Sequence, residues 1–367
     1  MAYWALLLIG LVLILAVGCG SLAKPSGWAA PAEGDGLLLA AHGDKLFALE
    51  TGTLDPRWAF PGATGDDDID PIALYGTPAV MNGTVFVPAY DGSLYALDAA
   101  SGELRWQEPF DTDGPLVGGV AVSQDTVYFG SADRKVYAVD TESGKQRWAF
   151  RTGERVWSTP KLVGDTLYAT SLDGRLYALD TSRGTELWSF KTDAGIAASP
   201  VVDEAAGLVY IGGFDSQLRA IDLEKHQQRW SLKADNWFWA DPHLSGGVIY
   251  AGDVDGKVYA VDAETGERPW SKAFSAKSEV RSTAVTVADN LLVFDRDGHV
   301  YRLDPATGEA KSAAPLELGE DVLADPLVVA GEQAGQEHVL IVTTGGDLVR
   351  IDPATLTVVR RQALSGG

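Results

Sequence analysis

The residues best suited to make a specific contact lie in three short segments rich in tryptophan and arginine, at 155–157, 236–239 and 279–281. Aromatic and arginine side chains dominate the binding energy of many protein interfaces. The candidate partner-binding residues are therefore Arg155, Trp157, Trp237, Trp239 and Arg281. The alternative interpretation is that these tryptophans fill a channel or pack beneath the loops.

Few other residues are arranged for chemistry. The five histidines, at positions 42, 226, 243, 299 and 338, have no metal-ligand spacing. Two Asp-x-Asp-Gly segments, at 253–256 and 295–298, resemble the start of a calcium loop but lack a glutamate at the twelfth position. A nucleophile elbow, a P-loop and an HExxH motif are all absent from the sequence. We therefore expect no enzyme activity, no cofactor and no metal.

Charge and cysteine content exclude further classes of function. The net charge of −22 argues against a nucleic-acid partner, since phosphate binding needs a basic face. The single cysteine, Cys19, excludes an internal disulfide, a cysteine-based zinc site and a redox pair.

Cys19 ends an uncharged N-terminal stretch over residues 2–20, with an apolar core from Ala5 to Val17. The sequence Ala16-Val17-Gly18-Cys19 resembles a bacterial lipobox. We expect a signal peptide at 1–18, a lipidated Cys19 with a tether to residue 26, and a folded domain over 27–367. The alternative is an uncleaved membrane anchor, and both place the domain outside the cytoplasm.

The elements that would position the candidate residues belong to a unit repeated eight times. An acidic residue closes a segment of the LYALD type in each copy, at Glu50, Asp98, Asp140, Asp180, Asp222, Asp262, Asp304 and Asp352. Successive spacings are 48, 42, 40, 42, 40, 42 and 48 residues. Tryptophan follows eight residues later in six copies, at Trp58, Trp106, Trp148, Trp188, Trp230 and Trp270. Ser312 and Arg360 take its place in the last two.

Each unit reads as four short strands. In the second unit they are predicted at Thr77–Met81, Thr84–Ala89, Ser93–Asp98 and Leu104–Glu108, with a hairpin turn at Asp91-Gly92. A single four-stranded unit cannot bury both of its faces, but units arranged radially bury them against each other. The repeats therefore predict an all-β fold, an eight-bladed β-propeller of four-stranded antiparallel blades. Whole blades at each end, or a strand exchanged between the termini, could close the ring.

The recurring LYALD-xxTGxxxW pattern resembles the repeat of the PQQ-type, or quinoprotein alcohol dehydrogenase-like, propeller family. The resemblance covers residues 28–362. It implies that the six repeat tryptophans dock between adjacent blades. It implies also that the turn glycines fix their geometry, at Gly102, Gly144, Gly184 and Gly266.

The same family contains quinone-dependent dehydrogenases, many with an adjacent cysteine pair that this chain lacks. Size, repeat number and lipobox are instead similar to family members that help assemble outer-membrane β-barrel proteins. We expect a monomeric, lipid-anchored scaffold of the cell envelope that binds protein partners on one face. Without an outer membrane in its source, it would be a general cell-surface binding propeller. The alternative function is binding of a small ligand or cofactor as an accessory to a redox system.

Overall fold

The computed structural model describes residues 27–62, 73–331, 333 and 335–364. These residues form eight antiparallel four-stranded sheets, each with its strands in chain order, and they contain no helix. The predicted eight-bladed propeller is confirmed. The predictions for the signal peptide, Cys19 and the tether fall outside the described residues.

The strands follow the repeat along the chain. Blades 1 to 4 consist of β1 (Ala32–Gly34), β2 (Leu37–His42), β3 (Lys45–Glu50), β4 (Pro56–Phe60), β5 (Ala79–Met81), β6 (Thr84–Pro88), β7 (Ser93–Asp98), β8 (Phe110–Asp111), β9 (Val120–Val122), β10 (Thr126–Ser131), β11 (Lys135–Asp140), β12 (Gln146–Arg151), β13 (Lys161–Val163), β14 (Thr166–Ser171), β15 (Arg175–Asp180) and β16 (Glu186–Lys191). Blades 5 to 8 consist of β17 (Val201–Asp203), β18 (Leu208–Gly212), β19 (Gln217–Asp222), β20 (Gln228–Lys233), β21 (His243–Ser245), β22 (Val248–Gly252), β23 (Lys257–Asp262), β24 (Phe274–Ser275), β25 (Val285–Val287), β26 (Asn290–Phe294), β27 (His299–Leu303), β28 (Leu316–Glu317), β29 (Leu327–Ala330), β30 (Glu337–Val342), β31 (Asp347–Asp352) and β32 (Thr357–Ala363).

The prediction for the fourth strand of the second blade is wrong. The strand is Phe110–Asp111, and Leu104 makes only an isolated bridge to Leu97. Phe110 lies four positions after Trp106, whereas Phe150 of the next blade lies two positions after Trp148. The two extra residues include Pro109, which has no N–H to donate, so the chain leaves the sheet before rejoining it.

The hydrophobic core lies between the blades. Eight buried clusters each join two neighbouring blades; in one of them Leu46 and Phe60 of blade 1 pack with Val85 and Leu97 of blade 2. The eighth cluster joins Leu49 of blade 1 to Leu340 of blade 8. Blade 1 contains only N-terminal strands and blade 8 only C-terminal strands, so the ring closes with whole blades and without strand exchange.

The repeat tryptophans lie at the seams between blades. Five of the six donate their indole N–H to a backbone carbonyl of the next blade; Trp58, for example, reaches Ala99 O at 2.9 Å. A glycine of that next blade, at positive φ, faces each of these five rings, at Gly102, Gly144, Gly184, Gly266 and Gly308. The sixth ring, Trp188, instead stacks on His226 at 4.7 Å.

The two blades without the tryptophan use a different seam. In four blades a buried alanine of the third strand pairs with the tryptophan, as Ala48 does with Trp58, and the other two tryptophan blades have alanine at the same position. Blades 7 and 8 place Arg302 and Arg350 there. Arg350 donates to Thr51 O at 3.1 Å, and Arg302 donates to Ala354 O. Both acceptors belong to the next blade, so the guanidinium replaces the indole as the donor across the seam.

Candidate partner-binding face at the channel mouth

In each blade one residue just before the first strand, two positions before it in seven blades and one position before it in blade 3, belongs to a ring around the central axis. We call this set the base ring; it comprises Ala30, Thr77, Gly119, Thr159, Ser199, Asp241, Thr283 and Asp325. Side-chain oxygens of the ring accept from backbone N–H groups of the preceding blade. The bonds are Gly119 N to Thr159 Oγ1 at 2.8 Å, Thr159 N to Ser199 Oγ at 3.0 Å, Ser199 N to Asp241 Oδ1 at 2.5 Å and Thr283 N to Asp325 Oδ1 at 2.6 Å. These bonds tie neighbouring blades together around the channel.

A second ring lies two residues upstream, nearer the loops. We call it the rim ring; it comprises Trp28, Tyr75, Val117, Trp157, Ala197, Trp239, Arg281 and Leu323. Alternate residues of an extended chain point the same way, so both rings face the axis. All eight rim residues and seven of the base residues line one pocket of about 110 Å³. The pocket is narrow, with a largely aromatic wall above a polar base.

The structure brings four of the five candidate residues together. Trp157 and Trp239 lie with ring centroids 6.3 Å apart, and Phe214 stacks on Trp239 at 6.0 Å and contacts Trp237 at 4.9 Å. The guanidinium of Arg281 lies 5.5 Å over the Trp239 ring. Glu279 holds that guanidinium from the side at 2.5 Å. Aromatic and cationic groups are therefore presented together on the loop face.

The fifth candidate, Arg155, lies apart from this cluster. Its side chain is 53% exposed and its ion-pair partner is Glu154, at 3.8 Å. It does not line the pocket, so its position offers a peripheral contact at most.

Sequence reasoning missed a second aromatic group on the same face. Trp28 contacts Tyr75 at 4.3 Å, Tyr75 contacts Tyr90 at 4.9 Å, and Tyr90 is 47% exposed. Trp28 and Tyr75 occupy the same rim-ring position as Trp157 and Trp239. Counting two residues back from each base-ring position would have found them.

Sequence reasoning also missed Asp241 and Asp325, the two acidic members of the base ring. Burial, together with the smaller effect of the charge of Asp325, raises the pKa of Asp241 to about 7. Burial likewise raises the pKa of Asp325. The two carboxyl groups therefore influence each other and resist being ionised together.

The indole N–H of Trp157 is enclosed at the same pocket. Among the residues that the structure describes, none accepts a hydrogen bond from it. A buried donor without an acceptor costs free energy, so Trp157 is held in place by its packing and not by a hydrogen bond of its indole.

The pocket does not fit the quinone used by the enzymes of this fold. Pyrroloquinoline quinone is a tricyclic tricarboxylate, whereas the pocket measures about 110 Å³ and has two carboxyl groups at its base. Cofactor pockets of this kind typically enclose about 300–1,000 Å³. Across residues 27–62, 73–331, 333 and 335–364, no three or more His, Cys, Asp or Glu side chains are grouped to hold a metal. The same residues include no helix long and apolar enough to span a membrane.

The fold and the repeat define an eight-bladed propeller of the PQQ-type class. A family model described as outer membrane protein assembly factor BamB matches residues 16–117, 109–223 and 183–362. The chain belongs to this BamB family.

Similar proteins include BamB of Escherichia coli (strain K12), 40% identical over 60 residues, which are 16% of this chain and 15% of that protein. A serine/threonine-protein kinase, AfsK of Streptomyces griseus, is 38% identical over 73 residues, 20% of this chain and 9% of the kinase. The aligned stretches thus span less than a sixth of these relatives.

Among solved structures, BamB from Moraxella catarrhalis matches with a TM-score of 0.71 at 19% identity, covering 88% of this chain and 95% of that one. The computationally designed protein Ika8 matches with a TM-score of 0.73 at 15% identity, covering 90% and 98%. At these identities the structural matches show the fold alone.

Proposed function

We propose that this protein is a non-catalytic scaffold of the cell envelope that holds protein partners on its channel-mouth face. Membership of the BamB family supports a role in the assembly of outer-membrane proteins. The partners in this proposal are proteins of that assembly machinery.

The observation that carries the proposal is the composition of the rim ring. Trp28, Tyr75, Trp157, Trp239 and Arg281 surround one opening, and Tyr90 and Trp237 extend the aromatic surface beyond it. Aromatic and arginine residues clustered at the centre of a face are the usual source of binding energy at protein interfaces. A propeller holds such residues rigidly, so little entropy is lost when a partner binds.

The N-terminus completes the proposal. Residues 1–18 would serve as an export signal, and a lipid on Cys19 would hold the propeller, residues 27–367, close to a membrane through the short tether. In a cell with an outer membrane, the propeller would face the periplasm. The scaffold would act as a monomer.

Capture of partners from solubilised membranes tests this function. In the full-length chain, Trp239→Ala with Arg281→Ala should reduce recovery of outer-membrane assembly proteins at least tenfold, because two neighbouring anchors are lost. The thermal midpoint should stay close to that of the unchanged protein, since both residues lie on the loop face.

The matched control is Leu104→Ala with Leu187→Ala, which removes two exposed apolar side chains from the outer edge of the blades. It should capture partners normally. Normal capture by the Trp239 and Arg281 variant, or recovery of no assembly protein by the unchanged chain, would contradict the proposal.

A further inference from the structure

The pocket beneath the rim ring combines two features that suit a positive charge. Its wall presents the faces or edges of Trp28, Tyr75, Trp157 and Trp239, and its base presents Asp241 and Asp325. Aromatic rings attract a cation through their quadrupole, and carboxylates attract it directly. An anionic group would meet repulsion at the base.

We propose that this pocket receives a lysine side chain of the bound partner, with the ammonium group between Asp241 and Asp325. The inference rests on the proposed scaffold function and names the chemical group that the binding face recognises. The apolar stem of the lysine lies along the indoles of Trp157 and Trp239, and the three N–H donors of the ammonium reach the base ring.

The hydrogen bonding of the base ring favours lysine over arginine. Asp241 already accepts from Ser199 N through Oδ1, and Asp325 accepts from Thr283 N in the same way. Each carboxyl group therefore has one oxygen already engaged, and the two groups lie on different blades, so neither presents a free pair of oxygens. The planar fork of arginine needs a pair on one carboxylate, whereas an ammonium group bridges separate acceptors.

The charges around the pocket leave its base available to a cation. Arg281 stays at the rim, held by Glu279 at 2.5 Å and by the Trp239 ring, so it does not neutralise the acids at the base. The net charge of −22 adds a general attraction for a basic segment.

Small probes test the pocket without any partner protein. N-acetyl-lysine methylamide is titrated with the full-length chain, and the shifts of its side-chain methylene protons are followed by NMR. The indole and phenol rings of the wall should move these protons upfield through their ring currents. The matched probes are the Nε-acetyl-lysine, norleucine and arginine analogues, which change the charge or its shape.

The result expected is saturable upfield shifts for the lysine probe and at least tenfold weaker binding of the three analogues. Asp241→Asn with Asp325→Asn should weaken the lysine probe at least tenfold, while the amide oxygens preserve the base-ring hydrogen bonds. The control Asp113→Asn with Asp193→Asn removes two exposed charges from the same loop face and should leave binding unchanged. Equal binding of lysine and norleucine, or an unaffected Asp241 and Asp325 variant, would overturn the inference.

The two proposals fail in different ways. Binding of the lysine probe without capture of any assembly protein would refute the scaffold function and retain the pocket. Capture of partners that is lost in the Trp239 and Arg281 variant, but without binding of the lysine probe, would refute the lysine inference alone.

Discussion

At the scale of single residues, the protein makes the carboxyl groups of Asp241 and Asp325 harder to ionise than they would be in water. Burial raises the pKa of both, and the charge of Asp325 adds to the effect on Asp241, whose pKa reaches about 7. Arg281 and Tyr75 line the same pocket, with Arg281 paired to Glu279.

These shifts predict how stability depends on pH. The pKa of Asp241 is raised in the folded state from 3.8 to about 7, so its contribution to stability is present below pH 4 and is lost as the pH rises through 7. The double variant Asp241→Asn with Asp325→Asn has no carboxyl group to ionise at these positions, so it does not lose this stability as the pH rises. The variant should gain thermal stability over the unchanged protein at pH 8 and gain less at pH 5, as measured by circular dichroism melts. An equal difference at both pH values would show that the acids do not titrate as described.

At the scale of the blade, one seam recurs with two solutions. Where the tryptophan is present, the residue beside it on the third strand of the same blade is alanine, and the turn of the next blade that faces it usually carries glycine. Both residues are small because the indole occupies the space that a larger side chain would need. Where blades 7 and 8 lack it, Arg302 and Arg350 replace the alanine, and Leu356 and Leu54 replace the facing glycine. Both leucines are buried. The volume that the missing indole would fill is thus taken up by the larger side chains at the alanine and glycine positions.

At the seam, we expect the stability lost when a turn glycine is replaced by alanine to depend on whether an indole faces that glycine. A Cβ on Gly184 would lie 2.4 Å from Trp148, whereas a Cβ on Gly164 would meet nothing within 4 Å, and both glycines have positive φ. Each alanine substitution carries the backbone strain of about 1–2 kcal/mol. Gly184→Ala should cost about 1–3 kcal/mol more than Gly164→Ala, because the indole must also shift. Equal losses in urea-induced unfolding would mean that the seam tolerates the extra methyl group.

The features that recur in every blade could be predicted from the sequence, whereas several residues that differ from blade to blade could not. Blade number and the tryptophan register could be read because each copy carries the same local signal. Trp157, Trp239 and Arg281 of the rim could also be read, because their residue types stand out, whereas Trp28 and Tyr75 share with them only a position relative to base-ring residues of differing type. The wrongly predicted fourth strand of blade 2 has a similar cause, since its two extra residues depart from the repeat.

At the scale of the whole molecule, the ring makes a rigid platform from blades that have no separate cores. The eight buried clusters all lie between blades, including the one that joins blade 8 to blade 1. Side chains around the axis are therefore fixed relative to one another by the entire circle. Such a platform suits binding through a preorganised face, and the central claim is that the channel mouth is that face.

Site-specific photocrosslinking in cells tests this claim most directly. A photoreactive phenylalanine analogue at the rim, in place of Val117 or Leu323, is compared with the same analogue at Leu187 on the outer edge, where the side chain is 52% exposed. The account predicts crosslinks to outer-membrane assembly proteins from the two rim positions and not from position 187. Crosslinks from position 187 with none from the rim would contradict it.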